Sequence, residues 1–312
     1  MTAVQLLGFI GILLIIGFLA DYLFRKTSFP DILILIALGY LVGPVFNIID
    51  PSQIAPASQI IATLALVIIL FNGGLDLEFS AVLSSAPRAL ILVVLGISAS
   101  TAAIAAFAYY LLGWQLMDSL LLGAIVSGTS PSIVMPLVSR ARVPGSVSSV
   151  LNLESAFDGA LVIVIALVIL QIMTGGGTGH GASMAGQAIA IRFSVGAAIG
   201  VAAGFIWLWV LTLIEGEVFD DILTLAVVFL AYFGVESIQG SGVIFALAFG
   251  LMLGNGVQVA RFMRIKRTVK IHEMMKKFHS QMSFLIKTFF FVYLGLMITF
   301  KEPNLIVIGV VI

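Results

Sequence analysis

Long apolar runs, each about the length of a membrane-spanning helix, recur along the whole of this 312-residue chain. The first, from about Val4 to Phe24, lacks a basic leading segment and a small-residue cleavage site, so we interpret it as a span and not as a signal peptide. Hydrophobic residues make up 61% of the chain and charged residues 10%, against about 45–50% and about 25% in ordinary soluble domains. The sequence therefore predicts an all-α, polytopic membrane protein.

The composition also argues against several other classes of protein. Fifteen basic residues balance fifteen acidic ones, which leaves no basic excess for binding nucleic acid. The chain contains no cysteine, so a disulfide framework, a thiolate metal site and a cysteine nucleophile are excluded. It also shows no paired-histidine motif and no nucleophile beside a base, and we therefore do not expect an enzyme.

About ten candidate spans and part of an eleventh can be placed on the sequence. They are approximately Val4–Phe24, Ile32–Ile49, Ser58–Phe71, Ala89–Leu112, Leu116–Val138, Val147–Met173, Ile191–Ile214, Ile222–Val235, Gly242–Val259 and Phe278–Phe300, with a partial run from Leu305 to Ile312. If the N-terminus lies outside, twelve of the fifteen basic residues, among them Arg25, Arg140 and Lys277, fall in inside loops. The positive-inside rule therefore predicts a multi-pass cell-membrane protein with its N-terminus outside.

Two carboxylates lie within the sixth predicted span. Glu154 and Asp158 are four residues apart, so both side chains lie on one helical face, about 5–6 Å apart at Cβ, with Ser155 beside them. Two carboxylates this close in a medium of low dielectric cannot both stay charged without a cation, which can be a proton, a metal ion, Lys or Arg. Such a pair meets the physical requirement for exchanging a proton against a cation.

Lys287 is the only basic residue deep in a predicted span, and we expect it to pair with Asp158 or Glu154. Two interpretations of that pair remain open. It can be a buried salt bridge that only holds helices together. Alternatively, the pair opens when an ion binds the carboxylate, and Lys287 then releases its proton.

The fifth predicted span contains the sequence Ser-Gly-Thr-Ser-Pro-Ser at 127–132. Proline removes a backbone hydrogen bond, and the glycine and hydroxyl groups favour local unwinding, so the segment is either a broken helix or an ordinary proline kink. A broken helix is favoured because breaks at membrane depth mark ion sites. Asn72, next to Gly73 and Gly74 in the third predicted span, is a further candidate that can donate to or accept from this site.

Several motifs, taken in order, resemble those of the monovalent cation–proton antiporters of the sodium–proton exchanger type. They are Phe29-Pro30, Gly39 to Pro44, Phe71 to Leu75, Thr129 to Pro131, Glu154-Ser155, Ser241 to Val243, and Phe289 to Val292 with Gly295. The resemblance covers the whole chain. It implies an inverted-repeat antiporter fold of about 13 spans with a broken crossing helix, so that this chain would end in the eleventh span.

Within that fold, residues 1–173 would form the first repeat, with the broken helix at 127–132 and the ion site at 154–158. Residues 174–190 would be a Gly-rich connector, and residues 191–312 would be the seventh span and the incomplete start of the second repeat. The resemblance also implies a homodimer and a cytosolic regulatory domain after the spans.

The chain departs from the family pattern at its centre. In the family motif Glu-Ser-x-x-Asn-Asp, the fifth position here is Asp158 and the sixth, usually the essential ion-carrying Asp, is Gly159. Ser130 likewise replaces the Asp of Thr-Asp-Pro. Asp158 thus lies where electrogenic members have the first of two Asp residues, and Lys287 resembles the lysine that pairs with it, which favours electrogenic exchange.

The sequence therefore predicts a secondary transporter that exchanges protons for sodium, lithium or potassium by alternating access. Asp158, Ser155, Thr129 and Ser130 are the expected ion ligands, and Glu154 and Lys287 are expected to balance the charge. We expect no cofactor beyond the transported cation and proton, and no partner beyond the lipid bilayer, the second protomer and the regulatory domain. The alternatives are a potassium-efflux or channel-like protein gated by a cytosolic domain, a sodium-coupled organic-acid symporter, and a non-transporting sensor or subunit, which Gly159 and Ser130 favour.

Overall fold

The structure is a computed structural model that describes residues 3–27, 29–49, 58–77, 79–129, 134, 138, 143–173, 182–214, 219–262 and 273–298. The helices in chain order are α1 (Ala3–Thr27), α2 (Asp31–Tyr40), α3 (Ser58–Asp76), α4 (Phe79–Leu111), α5 (Leu116–Val126), α6 (Gly145–Met173), α7 (Ala182–Leu213), α8 (Asp220–Ser237), α9 (Gly242–Gly254), α10 (Gly256–Phe262) and α11 (Glu273–Met297). These stretches contain no strand. The all-α prediction is confirmed for them.

Six helical segments in the described stretches are long and apolar enough to cross a membrane. They are Leu7–Phe24, Gln59–Asp76, Pro87–Leu111, Gly145–Leu170, Ala190–Leu213 and Lys276–Met297. Three further apolar helices are shorter: Asp31–Val45, Leu116–Val126 and Gly242–Gly254. The chain is therefore an integral membrane protein, in which some of the predicted spans are interrupted.

Each interruption has a local cause. Helix α2 passes at Leu41 into a π-helical turn that ends at Val45, and this turn contains Pro44, which has no N–H group to continue the α-helical ladder. Helix α9 ends at Gly254, where the side-chain amide of Asn255 donates to the carbonyl oxygens of Leu251 and Leu77, each at 2.7 Å. Asn255 thereby ties the end of α9 to the segment that follows α3.

Several helices begin earlier than predicted, two of them by more than two helical turns. Helix α4 begins at Phe79 instead of Ala89 and continues through Pro87, which does not end it. Helix α7 begins at Ala182, inside the predicted connector 174–190. The remainder of that connector, 174–181, and the partial run from Leu305 lie outside the described residues.

The chain divides into two compact units, one made of residues 1–68 and 280–312 and the other of residues 69–279. In the first unit, α2 and α11 approach so closely that a Cβ on Gly39 would overlap the carbonyl oxygen of Val292, and a Cβ on Gly295 would overlap that of Ile36. Only glycine permits such backbone contact between helices.

The second unit contains a similar contact between α3 and α9. A Cβ on Gly74 would overlap the carbonyl oxygen of Leu247, and one on Gly250 would overlap that of Phe71. Three successive glycines of α7 also contact α9, and the residues they contact follow in chain order from Ser241 to Met252. Farther along the same helices, Gly43 contacts Leu296 and Gly254 contacts Leu75. Within the units, α2 therefore runs parallel to α11, and both α3 and α7 run parallel to α9.

Candidate ion-binding site

The site begins where α5 ends. Helix α5 stops at Val126, and the backbone at Gly128 and Thr129 is not helical. Ser127 closes the helix, since its hydroxyl donates to the carbonyl oxygen of Ala124 at 2.8 Å. The predicted break at 127–132 is therefore present in its described part. Ser130 and Pro131 lie outside the described residues.

Helix α6 supplies the acidic groups of the site. It runs unbroken from Gly145 to Met173, so Glu154 and Asp158 lie one turn apart on the same face, as the spacing predicts. Asp158 is 2% exposed and Ser155 is fully buried, whereas Glu154 is only partly buried. One carboxylate is thus enclosed and the other lies nearer the protein surface.

Thr129 connects the break in α5 with both carboxylates of α6. Its backbone N–H donates to Oδ2 of Asp158, and its hydroxyl donates to Oε2 of Glu154 at 3.4 Å. A carboxylate that accepts a backbone N–H is held in one orientation, and this bond exists only because the chain at Thr129 has left the helix. Thr129 therefore contacts two of the other predicted site residues, Glu154 and Asp158, and Ser155 lies on the same helix as these two.

The second carboxylate oxygen of Asp158, Oδ1, is buried and has no hydrogen-bond partner among the described residues. Buried polar atoms are nearly always paired, so an exception marks a place where another group can bind. The lone pairs of a carboxylate oxygen suit a proton or a hard cation. Helices α5 and α6 contain no Lys or Arg that would neutralise the two carboxylates.

Gly159, where the family motif has its usual carboxylate, lies in open surroundings. A Cβ added at this position would have no atom within 4 Å among its described neighbours. The described residues therefore do not require glycine at this position.

The structure corrects the expected partner of Lys287. Its ammonium group donates to Oδ2 of Asp31 at 2.5 Å, within the first unit, and not to Asp158 or Glu154 as the sequence suggested. Asp31 was missed because the predicted second span begins at Ile32, which left this carboxylate outside the membrane. Helix α2 in fact begins at Asp31. An acidic residue immediately before one predicted span, together with a lysine inside another, was the available signal.

Two further polar residues lie on helices other than α5 and α6. Asn72, the further candidate from the sequence, is half-buried on α3, a helix that packs on α9 through Gly74 and Gly250. His279 lies in α11 and is 1% exposed. Its ring meets that of Phe71 edge-on at 5.0 Å, and its two ring nitrogens have no hydrogen-bond partner among the described residues.

The helices and the buried carboxylates together define an integral membrane protein with an acidic site at a helix break. Comparison with known proteins identifies its family. The family profile described as "Sodium/hydrogen exchanger, transmembrane" matches residues 10–312. The chain belongs to this family, which is one of secondary transporters.

Relatives and solved structures agree with this assignment. The chain is 28% identical over 308 residues to "Probable Na(+)/H(+) antiporter 2" of Methanocaldococcus jannaschii. This alignment covers 95% of the present chain and 70% of that protein. It is 26% identical over 235 residues to the K(+)/H(+) antiporter NhaP2 of Shewanella oneidensis, covering 74% of this chain and 40% of that protein. The chain therefore spans less than half the length of the latter relative.

The fold is that of a solved antiporter. The structure of the sodium proton antiporter MjNhaP1 from Methanocaldococcus jannaschii at pH 8 superposes with a TM-score of 0.79 at 22% identity, covering 96% of this chain and 72% of that chain. At this level of identity, the likeness establishes the shared fold.

Proposed function

We propose that this protein exchanges protons for a monovalent cation across the membrane by alternating access. The observation that carries the proposal is the contact of Thr129 with both Glu154 and Asp158, beside a buried carboxylate oxygen that has no hydrogen-bond partner among the described residues. This arrangement needs a positive charge, and the helices that form it provide none. Membership of the exchanger family supports the same conclusion.

The chemistry of exchange follows from competition for one oxygen. When Asp158 is protonated, its Oδ1 holds a proton in place of a cation. When the proton leaves, the same oxygen can bind a monovalent cation together with hydroxyl oxygens, for which Thr129, Ser155 and Ser130 are the proposed ligands. Glu154 then sets the remaining charge of the site. Because either species excludes the other, movement of one is coupled to movement of the other.

The cation is sodium, lithium or potassium. The names of relatives divide between Na(+)/H(+) and K(+)/H(+) antiporters, so they support monovalent cation–proton exchange without choosing the ion. No cofactor takes part in this mechanism, because the exchanged ions themselves supply the charge that the carboxylates need.

The remaining architecture is part of the same proposal. The chain forms most of an inverted-repeat antiporter fold of about 13 spans, with the N-terminus outside and the seventh predicted span beginning the second repeat. In this proposal, the protein works as a homodimer in the cell membrane, and it includes a cytosolic regulatory domain.

Proton movement in inside-out membrane vesicles tests the proposal directly. We expect addition of sodium, lithium or potassium to vesicles carrying the full-length protein to drive proton flux, and we expect Asp158→Asn to abolish it. Asp118→Asn is the matched control, because it makes the same substitution in the first turn of α5 and not beside the break. Retention of pH-dependent exchange in Asp158→Asn would refute the site assignment.

The rival functions predict different flux. A channel-like or potassium-efflux protein would pass ions far faster and without obligatory proton coupling. A sensor or subunit, which Gly159 and Ser130 favour, would produce no flux with any cation although the protein is folded and well expressed. The vesicle measurement therefore separates all three functions.

A further inference from the structure

A cleft in the second unit brings two opposite charges together outside the candidate ion site. Arg192 on α7 and Glu236 on α8 both line this cleft. Its apolar wall consists of Leu167 and Val168 on α6 and Val243 on α9. The cleft therefore combines a cation, an anion and an apolar surface, all within residues 69–279.

The cleft lies where three helices reach the edge of the apolar interior of the membrane. Arg192 is the third residue of the membrane-spanning segment Ala190–Leu213. Glu236 is the next-to-last residue of α8, and Val243 is the second residue of α9. Phospholipid headgroups lie at this depth, just outside the hydrocarbon region of the bilayer. In the proposed topology, this edge faces the outer leaflet.

Main-chain hydrogen bonds hold the polar side of the cleft together. The N–H of Ser241, directly before α9, donates to the carbonyl oxygen of Arg192 at 3.0 Å. The N–H of Gly242 donates to Oε1 of Glu236 at 2.8 Å. A Cβ on Gly196 would overlap the carbonyl oxygen of Ser241, so α7 and the start of α9 are in backbone contact. The Glu236 carboxylate is thus anchored through Oε1, and Oε2 has no hydrogen bond to a described residue.

The two charges of the cleft are not paired with each other. Neither Arg192 nor Glu236 forms an ion pair with a described residue, in contrast to Lys287 with Asp31. Ionisable side chains in membrane spans usually pair with one another or mark a binding site. Because these two line one cleft without pairing, the cleft presents both a positive and a negative group to a ligand.

An aminophospholipid, whose headgroup carries a phosphate and a primary ammonium group, matches this set of groups. A guanidinium binds phosphate oxygens through parallel N–H donors. A carboxylate accepts hydrogen bonds from a primary ammonium, whereas a trimethylammonium group has no N–H to donate. The acyl chains have an apolar surface beside the cleft, because Leu230 and Phe233 of α8 are 72% and 69% exposed.

We propose that Arg192 and Glu236 form a binding site for an aminophospholipid, with the phosphate on Arg192 and the ammonium group on Glu236. The headgroup then joins α7 to α8 at the edge of the second unit, and the apolar wall formed by α6 and α9 contacts the lipid below its headgroup. This inference is independent of the proposed exchange, because no transported ion takes part in it.

Lipid binding to the purified full-length protein tests this inference. Delipidated protein in detergent is titrated with phosphatidylethanolamine, phosphatidylcholine or phosphatidylglycerol of identical acyl chains, and bound lipid is counted by native mass spectrometry. We expect phosphatidylethanolamine to bind about tenfold more tightly than the other two, the range of one hydrogen bond. Phosphatidylcholine lacks the N–H donors, and phosphatidylglycerol lacks the positive charge. Equal affinity for the three lipids would overturn the proposal.

Variants of Glu236 test the ammonium end of the site. Glu236→Gln keeps an oxygen that can accept the N–H of Gly242 but removes the negative charge, so it should lower the affinity for phosphatidylethanolamine to that for phosphatidylcholine. Glu236→Asp keeps the charge and should retain the preference. A preference that survives in Glu236→Gln, or that is lost equally in both variants, would overturn the assignment of Glu236 to the ammonium group.

A variant of Arg192 tests the phosphate end. Arg192→Gln should weaken binding of all three lipids, because each of them carries a phosphate. The matched controls are Arg88→Gln and Asp118→Asn, which remove charge at exposed positions of α4 and α5 outside the cleft and should leave the lipid preference unchanged. Unchanged affinities in Arg192→Gln would overturn the assignment of Arg192 to the phosphate.

Discussion

Charged side chains meet inside both units of this protein, but with opposite chemistry. In the first unit, Lys287 and Asp31 have opposite charges and satisfy each other at 2.5 Å. In the second, Glu154 and Asp158 carry the same charge, and one oxygen of Asp158 has no partner among the described residues. A satisfied pair stabilises the packing of two helices. Two neighbouring carboxylates repel each other unless a proton or another cation binds them, and binding of such an ion is what transport requires.

The largest expected difference between the two regions is in stability. We expect Lys287→Met to destabilise the protein by about 3–5 kcal/mol, because it leaves Asp31 buried without its partner. Asp158→Asn, which removes one of two like charges, should leave the thermal unfolding temperature in detergent near that of the wild type. Lys277→Met, at an exposed position of the same helix, is the matched control. If Lys287→Met unfolds no earlier than this control, the ion pair does not stabilise the first unit.

The second expected effect is a strong dependence of cation affinity on pH. A proton and a cation compete for the same oxygen of Asp158. Wherever the proton occupies the site, each unit of falling pH should therefore raise the half-saturating cation concentration about tenfold. The dependence should disappear at higher pH, where the proton no longer competes. This pH dependence is checked by measuring the initial flux at several cation concentrations and several pH values. The competition model would be contradicted if the maximal rate changed with pH while the half-saturating cation concentration stayed constant.

A smaller effect is expected at Thr129. Thr129→Val keeps the backbone donor to Asp158 and removes the hydroxyl that bonds Glu154, so it should weaken apparent cation affinity by up to about tenfold, the range of one hydrogen bond. Thr129→Ser keeps the hydroxyl and is the control. Equal half-saturation in the two variants would show that the hydroxyl has no part in the site.

The smallest expected change is in the number of protons exchanged for each cation. Gly159→Asp places a third carboxylate where a Cβ meets no described atom within 4 Å, so the protein should fold with little loss of stability. If the new group also releases a proton when the cation binds, each cation is exchanged for one more proton. The reversal point, the pH difference that stops net flux in proteoliposomes under a fixed cation gradient at zero membrane potential, should then fall. Gly159→Asn is the matched control of similar size. An unmoved reversal point in both variants would place position 159 outside the ion site.

Local sequence spacing accounts for what could be predicted. Long apolar runs predict helices because only a helix satisfies its own backbone in lipid. The positions of Glu154 and Asp158 on one face follow from the helical period alone. The break after Val126 could be expected from glycine, hydroxyl groups and proline within a few residues. The contact of Thr129 with both carboxylates could not, because it depends on where the unwound backbone lies against α6.

Long-range contacts account for what was wrong or missing. The partner of Lys287 is 256 residues away, and no periodicity distinguishes Asp31 from the other carboxylates of the chain. The early start of α4 has a different origin, since proline predicts a helix boundary but a long helix can continue through it, as at Pro87. Helix bounds and ion pairs both depend on packing between distant segments, which local sequence patterns do not specify.

The distance along the chain between Asp31 and Lys287 has a consequence for biosynthesis. The ribosome delivers Asp31 to the membrane long before α11 is made, so the first spans carry this carboxylate without its lysine partner until α11 has been synthesised. Its counter-charge arrives only with α11, and α2 can then seat against it through Gly39 and Gly295. Insertion of α11 is thus the step that supplies the counter-charge of Asp31. A nascent chain interrupted before that step exposes an unneutralised acidic group, which distinguishes it from the finished protein.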